Sequence, residues 1–299
     1  TNASTTQLVD ALSRKWDYTI IKRLHLPDHI FPETVSPGTH VGDLRPSVSD
    51  RIGLSGLPVY TVGEHDTASA VAAVPSLNKH FAYLSCGTWS LLGTELDQPI
   101  LSKQAMDWNF TNEYGVNHTF RLLKNIMGLW LLQECLRVWE REGEGVTFDQ
   151  MHHLVKAAKP FKCFIDPDEV RFLNPAHMPE QIRQYCRETR QSVPETKGEI
   201  IRTILESLAL KYRYVLERTE RLTGKHFACL HMVGGGINNT ILCQFTANAI
   251  KRPVVAGPTE ATAIGNILVQ YIALGEIKDM TEGRKIIRSS FCVKEYEPI

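Results

Sequence analysis

The sequence predicts an α/β fold, and three observations carry that expectation. Short runs rich in β-branched and aromatic residues alternate with long stretches of helical periodicity. Glycines stand where the chain must turn sharply near the end of a strand, at Gly63, Gly87 and Gly234–Gly236. No internal repeat or low-complexity tract interrupts the alternation.

Along the chain, Leu8 to Leu24 carries apolar positions at mixed three- and four-residue spacing, Trp16 among them, which predicts two short helices. Pro27, Pro32, Pro37 and Pro46 then bar a long helix. Leu57 to Val62 predicts a short buried strand. After Asp66 the sequence is Ala-rich and good helix material, with Asp66 or Thr67 as a favourable cap. Pro75, Ser76 and Asn78 break it. Phe81 to Ser85 and Trp89 to Thr94 follow as strands joined at Cys86-Gly87-Thr88. A polar segment with Asn109, Asn112 and Asn117 leads to an expected long helix around Leu122 to Arg141, its apolar face including Ile126, Leu129, Leu132 and Val138.

Residues 160–195 read as irregular with one short helix, ended by Pro194. A second long helix is expected from about Lys197 to Leu222, stopped by Gly224. Phe227 to Val233 is then a strand, Asn239 to Ile250 a helix and Pro253 to Val255 a strand. Thr259 to Leu274 is a helix with a Thr cap and Glu260 in its first turn. A boundary near Pro75 to Lys79 divides the chain into domains 1–77 and 78–299. The first is too small and loop-rich to hold a good core alone, and reads as the end of a longer domain.

Composition narrows the function. Hydrophobic residues make up 43% and charged residues 22%, an ordinary soluble globular mixture. Lys plus Arg equals Asp plus Glu at 33 each, so charge gives no reason to expect nucleic acid or a membrane surface as partner. No run of eighteen apolar residues predicts a membrane span. The opening Thr-Asn-Ala-Ser-Thr-Thr does not read as a signal peptide and lacks Met, so an upstream extension is expected. The seven cysteines, Cys86, Cys135, Cys163, Cys186, Cys229, Cys243 and Cys292, are scattered and form no CxxC pair. That argues against a zinc site or disulfide scaffold and for a reducing cytoplasm, with Cys163 and Cys186 left open as a pair.

Three constellations can carry chemistry. Gly63-Glu-His-Asp-Thr67 puts a carboxylate at a strand end beside a Gly turn, where Asp66 serves either as general base or as a helix N-cap. The Gly87-Thr88 turn offers backbone N–H groups and a hydroxyl that can hold phosphate oxygens, or it is a structural hairpin. Gly234, Gly235 and Gly236 sit between a strand and a helix, suiting either ligand approach or a close crossing. Neither GxGxxG nor GxxxxGK[ST] occurs.

Taken together, GEHDTASAVAAVP, SCGTWSLLGTE and the HMVGGGINN to GPTEATAIGN stretch resemble, in order and spacing, the C-terminal half of FGGY-family carbohydrate kinases. The likeness runs through essentially the whole chain, and TNASTTQL and PETVSPGT resemble the end of that family's first domain. It implies the actin-like ATPase (ribonuclease-H-like) fold, here the C-terminal domain plus the end of the N-terminal one.

By this resemblance Asp66 is the catalytic base, and His65, Thr67 and Asn125 are sugar contacts. Gly87, Thr88, Gln133, Gly234, Gly235, Gly236 and Asn239 are nucleotide contacts, while Ala263 and Gly265 allow close packing of the last helix. The implied reaction passes the γ-phosphoryl of ATP, with Mg²⁺ held by phosphates and waters, to a primary hydroxyl of a ketose. L-rhamnulose comes first among acceptors; fuculose, xylulose or a signalling ketose are alternatives. A non-catalytic actin-like sensor is the alternative of another class, and the expected assembly is a monomer or homodimer. The family's N-terminal phosphate hairpin and N-terminal sugar contacts do not occur in this chain.

Overall fold

The computed structural model describes residues 1–299. The helices are α1 (Tyr18–Arg23), α2 (Pro46–Ile52), α3 (Asp66–Ala72), α4 (Lys103–Asp107), α5 (Trp130–Arg141), α6 (Phe148–Ala157), α7 (Met178–Glu188), α8 (Lys197–Thr223), α9 (Thr240–Ile250), α10 (Ala261–Ala273) and α11 (Met280–Ser290). The strands are β1 (His40–Asp43), β2 (Pro58–Tyr60), β3 (Ala82–Cys86), β4 (Trp89–Leu96), β5 (Thr111–Tyr114), β6 (Phe120–Met127), β7 (Leu230–Val233), β8 (Val254–Ala256) and β9 (Lys294–Tyr296). They fold into two compact units. One gathers Thr1–Phe81, Thr94–Leu123 and Glu260–Cys292; the other gathers Ala82–Gly93, Lys124–Thr259 and Val293–Ile299. Compactness therefore joins segments distant in sequence, whereas the expected division at 77/78 follows the chain.

The first unit is organised by α3 against α10. Ala68, Ala70, Val71 and Ala72 are fully or almost fully buried, which explains the Ala-rich sequence: small side chains let the two backbones approach. The approach is closest at Gly265, where a Cβ would lie 1.8 Å from the carbonyl oxygen of Ser69. Arg284 of α11 closes the other end of α3, donating to the carbonyls of Val71 and Ala72 and pairing with Glu95 at 2.5 Å. In the same unit β5 pairs antiparallel with the first half of β6, and β1 with β2.

In the second unit β7 lies between β3 and β8, parallel to both, and β9 runs antiparallel beside β8. Leu230, Met232 and Val233 of β7 are fully buried, as are Ala82, Tyr83 and Leu84 of β3, and His231 within β7 is buried too, so both faces of these strands are covered. Helix α8 begins with a capping box, Thr196 and Glu199 bonding reciprocally, and ends at Gly224 with φ +65°.

Several expectations are corrected. Residues 122–141 are not one helix: β6 occupies the first part, Gly128 breaks the chain, and α5 follows. Seven of the eight β6 residues are buried, and a strand covered on both faces shows no alternation to distinguish it from a helix. The polar segment before it holds α4 and β5. Leu8 to Leu24 contains one helix, α1, preceded by a bridge between Val9 and Trp16, and a 3₁₀ turn at Asn2–Thr6. Strand β2 is largely exposed rather than buried. No long helix forms among the four prolines, and Pro46 itself opens the short α2, because the first helical position needs no N–H donor. Glu260, not Thr259, caps α10. Helices α6 and α11 and strand β9 were not expected. Cys163 and Cys186 are free, buried thiols, and Cys163 Sγ lies 3.2 Å from the Thr203 hydroxyl.

Candidate active site

In the first unit, Asp66 opens α3. The cap position belongs to its neighbour His65, whose carbonyl accepts the Ala68 N–H at 2.8 Å. The Asp66 side chain is left 78% exposed. Its Oδ1 accepts the Thr67 backbone N–H at 2.7 Å and the Thr67 hydroxyl at 3.3 Å. A carboxylate that is both oriented and open to solvent has the geometry a general base requires. Thr67 is only 4% exposed and stands behind Asp66 as its support. The turn before is fixed too: Ser69 Oγ donates to the Gly63 carbonyl at 2.7 Å, and a Cβ on Gly63 would lie 2.9 Å from Ser69 N.

Beside His65 sits a buried ion pair absent from the sequence-based site. Arg121, fully buried, donates from Nη2 to Glu113 Oε2 at 2.8 Å and lies 3.3 Å from His65 Nδ1. Burial first, and then the Arg121 cation, hold the His65 pKa below its ordinary value. Glu113 and Arg121 face each other across the β5–β6 hairpin. Their opposite charges at opposed positions were the available signal, legible only once 120–127 is recognised as strand.

In the second unit, the Gly87-Thr88 turn is joined to the start of α5. Leu129 and Trp130 donate their N–H groups to the carbonyls of Gly87 and Thr88, each at 3.0 Å. Two otherwise orphaned helix donors are thereby satisfied. A Cβ on Gly128 would meet Ser90 Oγ at 2.5 Å and Gly87 O at 2.9 Å, so this junction requires glycine. Thr88 stands exposed on the turn, and Gln133 is exposed in the first turns of α5. Asn125 is the one exposed residue of β6, on a strand rather than the expected helix.

The three glycines after β7 divide by role. Gly234 has φ +89°, and its Cβ would lie 3.0 Å from the Cys86 carbonyl. A Cβ on Gly236 would lie 2.4 Å from Cys86 Sγ and 2.7 Å from Cys86 O. Both serve the close crossing of the chain over the end of β3. Gly235 meets nothing within 4 Å, so no packing demand explains it, and it is the open backbone position of the three. Asn239 is buried and its Oδ1 accepts the Leu242 N–H at 3.0 Å, capping α9. No group of three or more His, Cys, Asp or Glu side chains is placed to hold a metal ion; a cation carried by nucleotide phosphates needs none.

The fold is the actin-like ATPase fold of sugar kinases. The gluconate kinase of Lactobacillus acidophilus superposes with a TM-score of 0.71 at 15% identity, over 98% of this chain and 58% of that one. The glycerol kinase of Plasmodium falciparum with ADP gives 0.70 at 15% identity, over 100% and 59%. Residues 82–274 match the C-terminal domain of the FGGY family of carbohydrate kinases, and residues 1–73 match its N-terminal domain. The chain belongs to the FGGY family of carbohydrate kinases. Among curated relatives, the rhamnulokinase of Bacteroides thetaiotaomicron is 47% identical over 298 residues, covering 100% of this chain and 61% of that protein. That of Enterococcus faecalis is 42% identical over 299 residues, covering 99% and 60%. The chain thus spans about three fifths of the length of these relatives.

Proposed function

We propose that this chain is part of an ATP-dependent rhamnulokinase, transferring the γ-phosphoryl of ATP to the 1-hydroxyl of L-rhamnulose in the cytoplasm. The observation that carries this reading is the 47% identity to a rhamnulokinase along 298 residues. Structural neighbours named for gluconate, xylulose and glycerol share the fold at 15–17% identity, so acceptor choice rests on side chains rather than architecture.

In this reading residues 1–77 close the sugar-binding domain and 78–299 form the nucleotide-binding domain. Asp66 accepts the proton of the attacking hydroxyl, supported by its exposure and by the Thr67 hydrogen bonds that orient it. His65 and Asn125 contact the sugar, and Thr67 acts through Asp66. Thr88 and its turn hold phosphate oxygens, while Gln133 and Gly235, with Gly234, Gly236 and Asn239 shaping the loop, meet the nucleotide. ATP brings Mg²⁺ on its phosphates, which neutralises charge there. A positioned general base contributes roughly 10²- to 10⁴-fold in rate.

The test is phosphorylation of L-rhamnulose by the full-length protein, native and Asp66→Asn. Native activity with a loss of at least about a hundredfold in the variant, ATP affinity being kept, supports both assignments. Activity on another ketose alone replaces the substrate. ATP binding with no phosphorylation of any sugar leaves a sensor.

A further inference from the structure

Arg121 is an expensive residue to bury. Its side chain is fully covered, and Nη1 has no hydrogen-bond partner. An ion pair that only stabilised the hairpin would be replaceable by apolar side chains with little loss. What the pair does hold is His65. Arg121 Nη2 lies 3.3 Å from His65 Nδ1, while the carboxylates of Asp66 and Glu113 stand farther from the same nitrogen, at 3.8 Å each.

A guanidinium has hydrogens to give and no lone pair to accept with. Nδ1 facing it must therefore be the acceptor, and the ring proton must sit on Nε2. We infer that Arg121 and Glu113 are positioning residues that fix His65 as the neutral Nε2–H tautomer, so that His65 meets the acceptor sugar as a hydrogen-bond donor to one of its oxygens. This rests on the sugar-kinase reading for the ligand, but the tautomer itself follows from the geometry alone.

The groups facing His65 agree. Burial and the Arg121 cation disfavour its protonation, against the opposing pull of Glu113 and Asp66; the net direction is downward. Glu113 also has a defined place, since its carboxylate accepts from the same Nη2 that donates to His65. The backbone N–H of His65 is separately tied to Thr1 Oγ1 at 3.2 Å. Its side chain is 24% exposed, and the ring contacts to Arg121, Asp66 and Glu113 all run through Nδ1. Nε2 is the donor held ready.

The experiment uses the full-length protein with ¹⁵N-labelled histidine, the His65 resonances being assigned with His65→Gln. At neutral pH the expected spectrum shows one Nε2–H tautomer. Arg121→Met is expected to lose that single tautomer. It should raise KM for the phosphorylated ketose by about tenfold or more while KM for ATP stays within about twofold, since supporting groups of this kind typically contribute 10- to 100-fold. A purely structural role would move both constants together. If Arg121→Met does not fold, Arg121→Lys keeps a cation opposite Glu113 but offers no fork to reach His65 as well, and the same sugar-specific rise is expected. An Nδ1–H tautomer or an imidazolium in the native protein overturns the inference, as does a rise in KM for ATP equal to that for sugar. If the full-length protein phosphorylates no sugar, the kinase reading fails while the native spectrum still decides the tautomer.

Discussion

Replacing Gly265 by Ala tests whether close backbone approach positions the proposed base. A Cβ there would lie 1.8 Å from the Ser69 carbonyl oxygen and 2.6 Å from its carbon, whereas ordinary contact begins near 3.4 Å. The obstacle is backbone, so α10 and α3 must part by roughly 1.5 Å in a close-packed unit. Overpacking of this kind costs about 3 kcal/mol, and the better helix propensity of Ala returns about 1. The expected net loss is about 2 kcal/mol. Helix α3 begins at Asp66, so the same shift moves the carboxylate; a misplacement of about 1 Å costs on the order of a hundredfold in rate. Gly283→Ala is the internal control. Its Cβ would meet Leu268 Cδ1 at 2.3 Å, the far end of a side chain that can rotate away, so its cost should stay below about 1 kcal/mol. Urea denaturation of both variants of the full-length protein, with kcat for each, makes the comparison. Equal stability of the two, or a Gly265→Ala protein with native kcat, would refute the reasoning.

Other predictions follow from single contacts. Gly235→Ala should leave urea stability unchanged and weaken ATP binding, whereas Gly236→Ala, whose Cβ would strike Cys86, should lose about 2 kcal/mol; calorimetric titration and denaturation separate them, and equal loss of stability would refute the division. Arg284→Leu leaves the largely covered Glu95 without its cation and should cost about 3 kcal/mol, with Glu95→Gln in the same chain recovering part of it in a double-mutant cycle. His65, with its pKa held below the ordinary 6.5, binds fewer protons folded than unfolded, so its contribution is full above that pH and is lost as pH falls below it. Native stability should accordingly fall more steeply than that of His65→Gln between about pH 7 and 5, measured by urea midpoints. In alkylation mapped by mass spectrometry, exposed Cys292 should be modified first, and Cys163 slowly although neighbouring Cys186 brings its thiol down to about 7, because both thiols are buried.

Much of the second unit was legible because its elements are locally marked. The C-terminal Gly224 and the glycine exit after Val233 are short-range signals, and each structure they announce forms. The same holds for Asp66: an Ala-rich helix behind a Gly turn places it at a helix start whatever packs against it. Signals fail where two faces are buried. Residues Phe120–Met127 carry an apolar pattern common to strand and helix, and pairing with Thr111–Tyr114 decided between them. With the hairpin unseen, Glu113 and Arg121 remained two unrelated charges.

The sequence by itself therefore determined the α/β class, the family motifs and the order of the proposed site residues, because turns, caps and glycine requirements act over a few neighbours. Only the tertiary structure decided which glycine is open, which residue caps α3, and which buried cation faces His65. Those depend on contacts between segments far apart in the chain, Cys86 with Gly236, Ser69 with Gly265 and His65 with Arg121, whose distances no local pattern encodes.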